Sequence, residues 1–410
     1  MSARPDVELP RSALERAREA RAGGPYVRLR LDEAREESGR VDERAPLAGF
    51  TLAVKDLIAV AGWPIGAGTR LREGAGPEAQ DAPVVAALRR AGAILVGTTA
   101  LHEIALGVTG VNAYGGTPEN PRAPGCIPGG SSSGSAAAVA DGSARVALST
   151  DTGGSGRIPA ALCGVVGFKP AHGDYALDGV LPLAPTFDHV GVIARSVEDV
   201  CRVHAILARP VPAGGRAPRI GLVRPSLETA SAEVAGAVER ALAGLAAAGC
   251  AVREVEMADD EDVLWASTTV IFAEAAATHA ASRERWATHA GADVRARLET
   301  GAQLPRRDYE EALRRRVAIA RHVDRGLAEL DVVLTPTVPI RPPGLAVAHD
   351  PALPSRLVAN TRLANLTGVP AISLPLGDGV GLQLMGRAAE PLLADAAWVQ
   401  ATLRRAGAAP

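Results

Sequence analysis

The chain has 410 residues, 47% of them hydrophobic, 22% charged and 3% aromatic, with a formal net charge of −2. The apolar fraction is too high for a disordered chain, and the balanced charge offers no field for nucleic acid or a membrane surface. Of the 44 basic residues, 42 are Arg, and the lysines are Lys55 and Lys169 alone.

Residues 12–45, rich in Arg, Glu and Ala, read as one or two solvated helices, and 1–45 as an N-terminal helical segment packed on the core. The run 50–60 (FTLAVKDLIAV) reads as a buried strand interrupted by a Lys–Asp pair. A helix over 83–92 and a strand over 93–97 form an α-to-β unit, which implies a mainly parallel or mixed sheet. Residues 107–135 are rich in Gly, Ser, Pro and Asn and read as loop, opening a helix at 136–141. Strands follow at 145–150, 219–223 and 251–257, with a helix over 229–248. Two long helical stretches, 263–298 and 307–329, precede a strand at 331–339. Residues 370–376 and 381–386 read as a strand pair across a Gly-Asp-Gly turn, and 390–406 as the last helix. The Pro/Gly-rich stretch 209–217 is a loop rather than a linker. The expectation is one α/β catalytic domain over 46–410.

No apolar run reaches about 18 residues, and no apolar leader is visible, so the cytoplasm is the expected location. Cys126, Cys163, Cys201 and Cys250 form no CxxC pair and read as reduced thiols. His102, His189 and His204 read as satisfied structural residues rather than metal ligands.

Three segments carry chemistry. Lys55 interrupts an apolar strand, where a snorkelling edge lysine is the alternative. A chain that places Arg at almost every basic position keeps Lys where Arg cannot serve. A buried lysine can lose its proton and act as a base, whereas a guanidinium cannot. Lys169, in GFKP, is the second such position and carries no assigned role. The segment 129–135 (GGSSSGS) leads into an apolar Ala/Val run, which favours a loop before a packed helix over a flexible linker. Its G-x-S-x-G spelling centres on Ser132, but a nucleophile elbow needs a preceding strand, and prolines occupy 121, 124 and 128. No GK[ST] follows, so a phosphate loop is disfavoured. In 151–157 (DTGGSGR), glycines before Ser155 let backbone N–H groups converge beside its hydroxyl, as an oxyanion hole requires, although from TGGSG alone a tight turn is the favoured reading. The set permits acyl transfer by a serine without histidine.

These residues resemble the amidase signature family. GGSSSGSAAAVADG, DTGGSGRIPAALCGVVGFKP and VKD form a specific set, and NLTGVPAISLPLG with GLQLMG is similar to the family's C-terminal part. The resemblance implies a layered α/β/α fold around a large mixed sheet. It also implies a Ser–cis-Ser–Lys triad: Ser155 as nucleophile, Ser131 as bridging serine after a cis Gly130–Ser131 peptide, and Lys55 as base. Thr152, Gly153, Gly154 and Ser155 would supply the oxyanion N–H groups, with Ser132, Asp151 and Arg157 in support. Gly156 departs from the aliphatic residue common after the nucleophile. Malonamidase, one of the compact members, carries a carboxylate-binding arginine three residues after the nucleophile. Here that position is Ile158, so malonate derivatives are not implied. The activity implied is hydrolysis of a small carboxylic amide through a seryl acyl-enzyme, without metal or cofactor. The alternatives are ureide hydrolysis of the allophanate or biuret type, or a role like that of the A-type component of glutamyl-tRNA amidotransferase. Neither a nucleic-acid nor a membrane partner is implied, and family members are often homodimers. Trp265, Trp286 and Tyr309 read as acyl-pocket walls or as plain core.

Overall fold

Short apolar runs ending at Gly or Pro build the sheet, and the period of two along each run gives it two faces. The computed structural model describes residues 24–212, 216–258 and 260–410. Eleven strands form one mixed sheet: β1 (Tyr26–Leu29), β2 (Thr51–Lys55), β3 (Ile94–Thr99), β4 (Val146–Thr150), β5 (Val166–Lys169), β6 (Val190–Ala194), β7 (Ile220–Leu222), β8 (Val252–Glu254), β9 (Val332–Pro336), β10 (Ala371–Gly377) and β11 (Val380–Met385). Their order is β1-β3-β2-β4-β6-β5-β10-β11-β9-β7-β8. β2 runs parallel to β3 and β4, whereas β6, β10 and β11 join antiparallel neighbours. The β10–β11 turn falls at Gly377-Asp378-Gly379, where all three residues have positive φ.

Alternation sorts the core. Ala53, Ala147 and Ile193 pack with Ala136, Ala138 and Val139 of the helix Ser133–Asp141 and with Ala160. Leu52, Val54, Leu148 and Val192 belong to the larger core, with Val200 and Val203 of the helix Val197–Leu207 and Leu392, Val399 and Leu403 of the helix Ala389–Arg405. Helices therefore cover both faces, which gives the expected layered α/β architecture. By the same alternation Lys55 shares the face of Ala53, beneath the helix Ser133–Asp141. Among the described residues, no helix is long and apolar enough to cross a membrane.

The N-terminal reading needs correction. Residues 12–23 lie outside the described residues, and Leu31–Ser38 is helical, but Tyr26–Leu29 is a strand. It pairs antiparallel with β3, Tyr26 bonds Ser143, and Arg28 pairs with Asp56 at 2.7 Å. The β-favouring Tyr-Val pair and these partners outweigh the helical composition around them. The stretch 263–298 is also not one helix. Asp260–Thr278 ends in a 3₁₀ segment, Ala280–Arg285, and Ala292–Gln303 is a separate helix.

Close approach of the helix Ser133–Asp141 to β3 depends on Gly134. A Cβ there would lie 2.6 Å from Ala100 N and would also meet the carbonyl of Pro25, both backbone atoms that cannot swing aside. Gly236, inside the helix Ala232–Ala247, faces nothing closer than the tip of Arg240 at 3.5 Å. Urea denaturation is expected to show Gly236→Ala more stable by about 0.5–1 kcal/mol. Gly134→Ala is expected to be less stable by about 1–3 kcal/mol despite the same gain in helix propensity. Two equal shifts would contradict this packing.

Candidate active site

Parallel strands leave a crevice beyond their carboxyl ends, where chain reversals gather polar groups. Lys55 is the last residue of β2, and Asp151 follows the last residue of β4. Lys55 is fully buried. Its Nζ lies 2.7 Å from Ser131 Oγ, 2.9 Å from Ser132 Oγ and 2.6 Å from Thr150 Oγ1. Three neutral hydroxyls satisfy hydrogen bonds but do not neutralise a charge. Burial accordingly pulls the amine down from 10.5 to about 7, against the opposing pull of Asp151 and Asp188. A neutral amine with three oxygen neighbours donates to two and accepts from the third. Ser132 Oγ donates to the Thr150 carbonyl at 3.1 Å, and the Gly130–Ser131 peptide is cis.

The turn after β4 is held by a buried ion pair. Arg157 Nε and Nη2 meet Asp151 at 3.0 and 2.9 Å, and both side chains are fully buried. Burial alone would raise the Asp151 carboxyl, but the Arg157 charge holds it below the usual carboxylate range. Asp151 also accepts the N–H groups of Gly154, at 2.9 Å, and Gly156, at 3.1 Å. Arg157 spends its remaining donors on Gln383 (2.5 Å), Asn365 (2.6 Å) and the Thr361 carbonyl (3.1 Å). Every donor nitrogen of the planar fork is thereby matched, which a lysine could not do.

Ser155 sits on this turn at the floor of a cavity of about 620 Å³. Its carbonyl accepts the Ser132 N–H at 3.1 Å. Among the described residues, its hydroxyl has no partner. The N–H groups of Thr152, Gly153 and Ser155 likewise have none, whereas the Gly154 N–H, expected beside them, is committed to Asp151. The Thr152 hydroxyl donates to Asp188 at 2.6 Å. Asp188, raised to about 6 by burial, also accepts the N–H groups of Leu183 and Ala184, so it ties the turn to a cavity wall.

The structure thus brings Lys55, Ser131 and Ser132 into direct contact and sets Ser155 one backbone hydrogen bond away. Of the aromatic residues considered as walls, Trp265 lines the cavity, Trp286 is buried in the core, and Tyr309 bonds Glu274 outside it. No described strand leads into Ser132, the residue just before the helix Ser133–Asp141, so the elbow reading finds no support. His102, His189 and His204 bond Asp293, Lys169 and Tyr175. Lys169 donates to the Pro170 carbonyl and to His189 beneath the Asp151 turn, and burial pushes it well below the lysine range. Sequence alone does not single out Thr150, Thr361, Asn365 or Gln383. A glutamine inside the apolar run GLQLM is the available signal for the last.

Comparison with known proteins shows the family. The Amidase family model matches residues 8–391. The chain belongs to the amidase family. It is 35% identical to the indoleacetamide hydrolase of Pseudomonas savastanoi, over 90% of this chain and 86% of that protein. It is 32% identical to the A-type component of the glutamyl-tRNA(Gln) amidotransferase from Symbiobacterium thermophilum, over 93% and 90%. A solved amidase superposes with a TM-score of 0.89 at 36% identity, covering 96% of this chain and 95% of that one. The chain is an amide hydrolase of this family.

Burial of Lys55 makes stability depend on pH. The unfolded amine titrates near its ordinary value and the folded one near 7, so between them the unfolded state holds the extra proton. Wild-type stability therefore rises with pH across that window relative to Lys55→Met. Urea titrations at about pH 6 and about pH 10.5 are expected to show the gap moving by roughly 4 kcal/mol in favour of the wild type. A constant gap would mean that Lys55 stays protonated.

Proposed function

We propose that this amidase hydrolyses a carboxylic amide through an acyl-enzyme on Ser155, with Ser131 and Lys55 as proton relay. The observation that carries the reading is the buried Lys55 amine, 2.7 Å from Ser131 and drawn down to about 7. A base near the working pH combines availability with driving force. The Ser155 proton passes to Ser131 Oγ as the Ser131 proton passes to Lys55 Nζ, and Ser155 Oγ bonds the amide carbon. The carbonyl oxygen becomes an anion and takes the N–H groups of Thr152, Gly153 and Ser155, with the Gly154 N–H fixing the turn through Asp151. The C–N bond breaks as the relay returns a proton to the leaving nitrogen, releasing ammonia or an amine. Water, deprotonated by the same relay, then frees the carboxylate and restores Ser155. Ser132 holds Lys55 in line, and Asp151 with Arg157 braces the turn.

An amidotransferase reading is favoured only by the similarity to the A-type components of those enzymes. The two differ in a simple observable: a hydrolase turns over amides as the chain alone.

A fluorophosphonate probe is expected to label wild type and spare Ser155→Ala. Absence of labelling on folded wild type would contradict the acyl-enzyme. Lys55→Arg, which cannot accept a proton, is expected to lose on the order of 10²–10⁴ in kcat/KM. For wild type, kcat/KM should rise with pH through about 7, because the deprotonated amine is the active form. A flat profile there would contradict the assigned base.

A further inference from the structure

Arg362 lines the cavity that holds Ser155, and only one end of its guanidinium is anchored. Nη1 donates to Ser267 Oγ at 2.9 Å and to Thr268 Oγ1 at 2.8 Å. Ser267 Oγ in turn donates to the Val263 carbonyl at 2.7 Å, so this anchor is itself fixed. Nε is buried and has no hydrogen-bond partner among the described residues. Among the described residues Nη2 has none either. The unpaired edge lies against the catalytic turn, because a Cβ on Gly153 would stand 3.9 Å from Nε. Gly153 is two residues before Ser155, a separation of at most two Cα steps of about 3.8 Å.

A buried charged donor without a partner is rare and costly. Among the described residues, no carboxylate forms an ion pair with this one. Burial lowers Arg362 to about 10, and the second influence is the like charge of Arg297, which lines the same cavity. Arg297 is itself paired with Asp293 and the Leu106 carbonyl. Glu261, the carboxylate among the lining residues, is exposed. The Nε–Nη2 edge presents two parallel N–H groups, the fork that matches the two oxygens of a carboxylate. The same cavity is lined by apolar side chains, among them Leu183, Leu264, Ile271 and Phe272.

We propose that Arg362 binds a carboxylate on the acyl part of the substrate, so that the preferred substrates are monoamides of dicarboxylic acids. This rests on the amidase reading of the same cavity. The carboxylate accepts from Nε and Nη2 together, the methylene chain lies on the apolar walls, and the amide carbonyl reaches Ser155. Arg362 acts on specificity and takes no part in proton transfer.

The test compares succinamic, glutaramic and adipamic acids with butanamide, pentanamide and hexanamide, pairwise by chain length. In wild type the best carboxylated member is expected to exceed its neutral partner in kcat/KM by at least about tenfold, the step of one good charge-assisted pair. In Arg362→Met that ratio should fall to near one, and Arg362→Lys, which keeps a charge without the fork, should recover part of it. A wild-type ratio near one overturns the proposal, as does a ratio that survives in Arg362→Met. Calorimetric binding of adipate to wild type needs neither turnover nor a variant. Binding that is lost in Arg362→Met, or weakened in Arg362→Lys should the Met variant not fold, supports the site, and no binding to wild type counts against it. Failure of Ser155 labelling overturns the amidase reading alone, because the adipate measurement still decides the carboxylate site.

Discussion

The hydrogen bond between Lys55 Nζ and Ser131 Oγ, made where water does not reach, is the interaction on which the rest of the site depends. An amine in water stays protonated far above neutrality and cannot take a proton from a serine. Here three hydroxyls satisfy its geometry without stabilising its charge, and the two acidic groups that do favour the charge, Asp151 and Asp188, are outweighed by burial. The sheet supplies that burial. Alternation along β2 turns Lys55 to the face covered by the Ala-rich helix, and Gly134 lets that helix approach β3 closely enough to shut out solvent.

The second constraint is the Asp151–Arg157 pair. Burying two full charges gains little stability in itself, and its value here lies in geometry. One carboxylate fixes Gly154, Gly156 and Arg157, while the guanidinium reaches Gln383 in β11, and Thr361 and Asn365 at the helix Arg362–Thr367. The turn that carries Ser155 is thus clamped from both ends. The use of basic residues follows function at these two places. Arg157 uses a rigid fork with every nitrogen matched, whereas the base role proposed for Lys55 needs a nitrogen that can give up its proton. Lys169 does neither: it sits under the turn as a point donor to a carbonyl and an imidazole.

Much of this was legible in the sequence because the segments that build the candidate site are local. VKD, GGSSSGS and DTGGSGR each name their residues by composition and spacing, and β2, β3, β4, β10 and β11 follow from apolar runs with Gly or Pro at their ends. What was not legible depends on contacts across long separations. Apart from Asp151, the partners of Arg157 lie more than two hundred positions away. β5 has four residues between Gly164 and Pro170, too few for a periodicity, and β6 is a short apolar run made a strand by antiparallel pairing with β4 and β5. β1 is made a strand by pairing with β3 rather than by its Arg-rich surroundings. The commitment of the Gly154 N–H to Asp151 is a matter of angle within one turn, which residue identity does not encode. Arg362 is likewise unremarkable as a residue and becomes informative only through its unpaired edge.

The most direct measurement is a titration of the lysine side chains. Because the chain has two lysines, selective ¹³C/¹⁵N-lysine labelling gives two side-chain signals, and Lys55→Met assigns them. The Lys55 Cε and Nζ resonances are expected to titrate with a midpoint near 7. A midpoint in the ordinary lysine range, near 10.4, would contradict the assignment of Lys55 as base, because no neutral amine would then be present to take the serine proton.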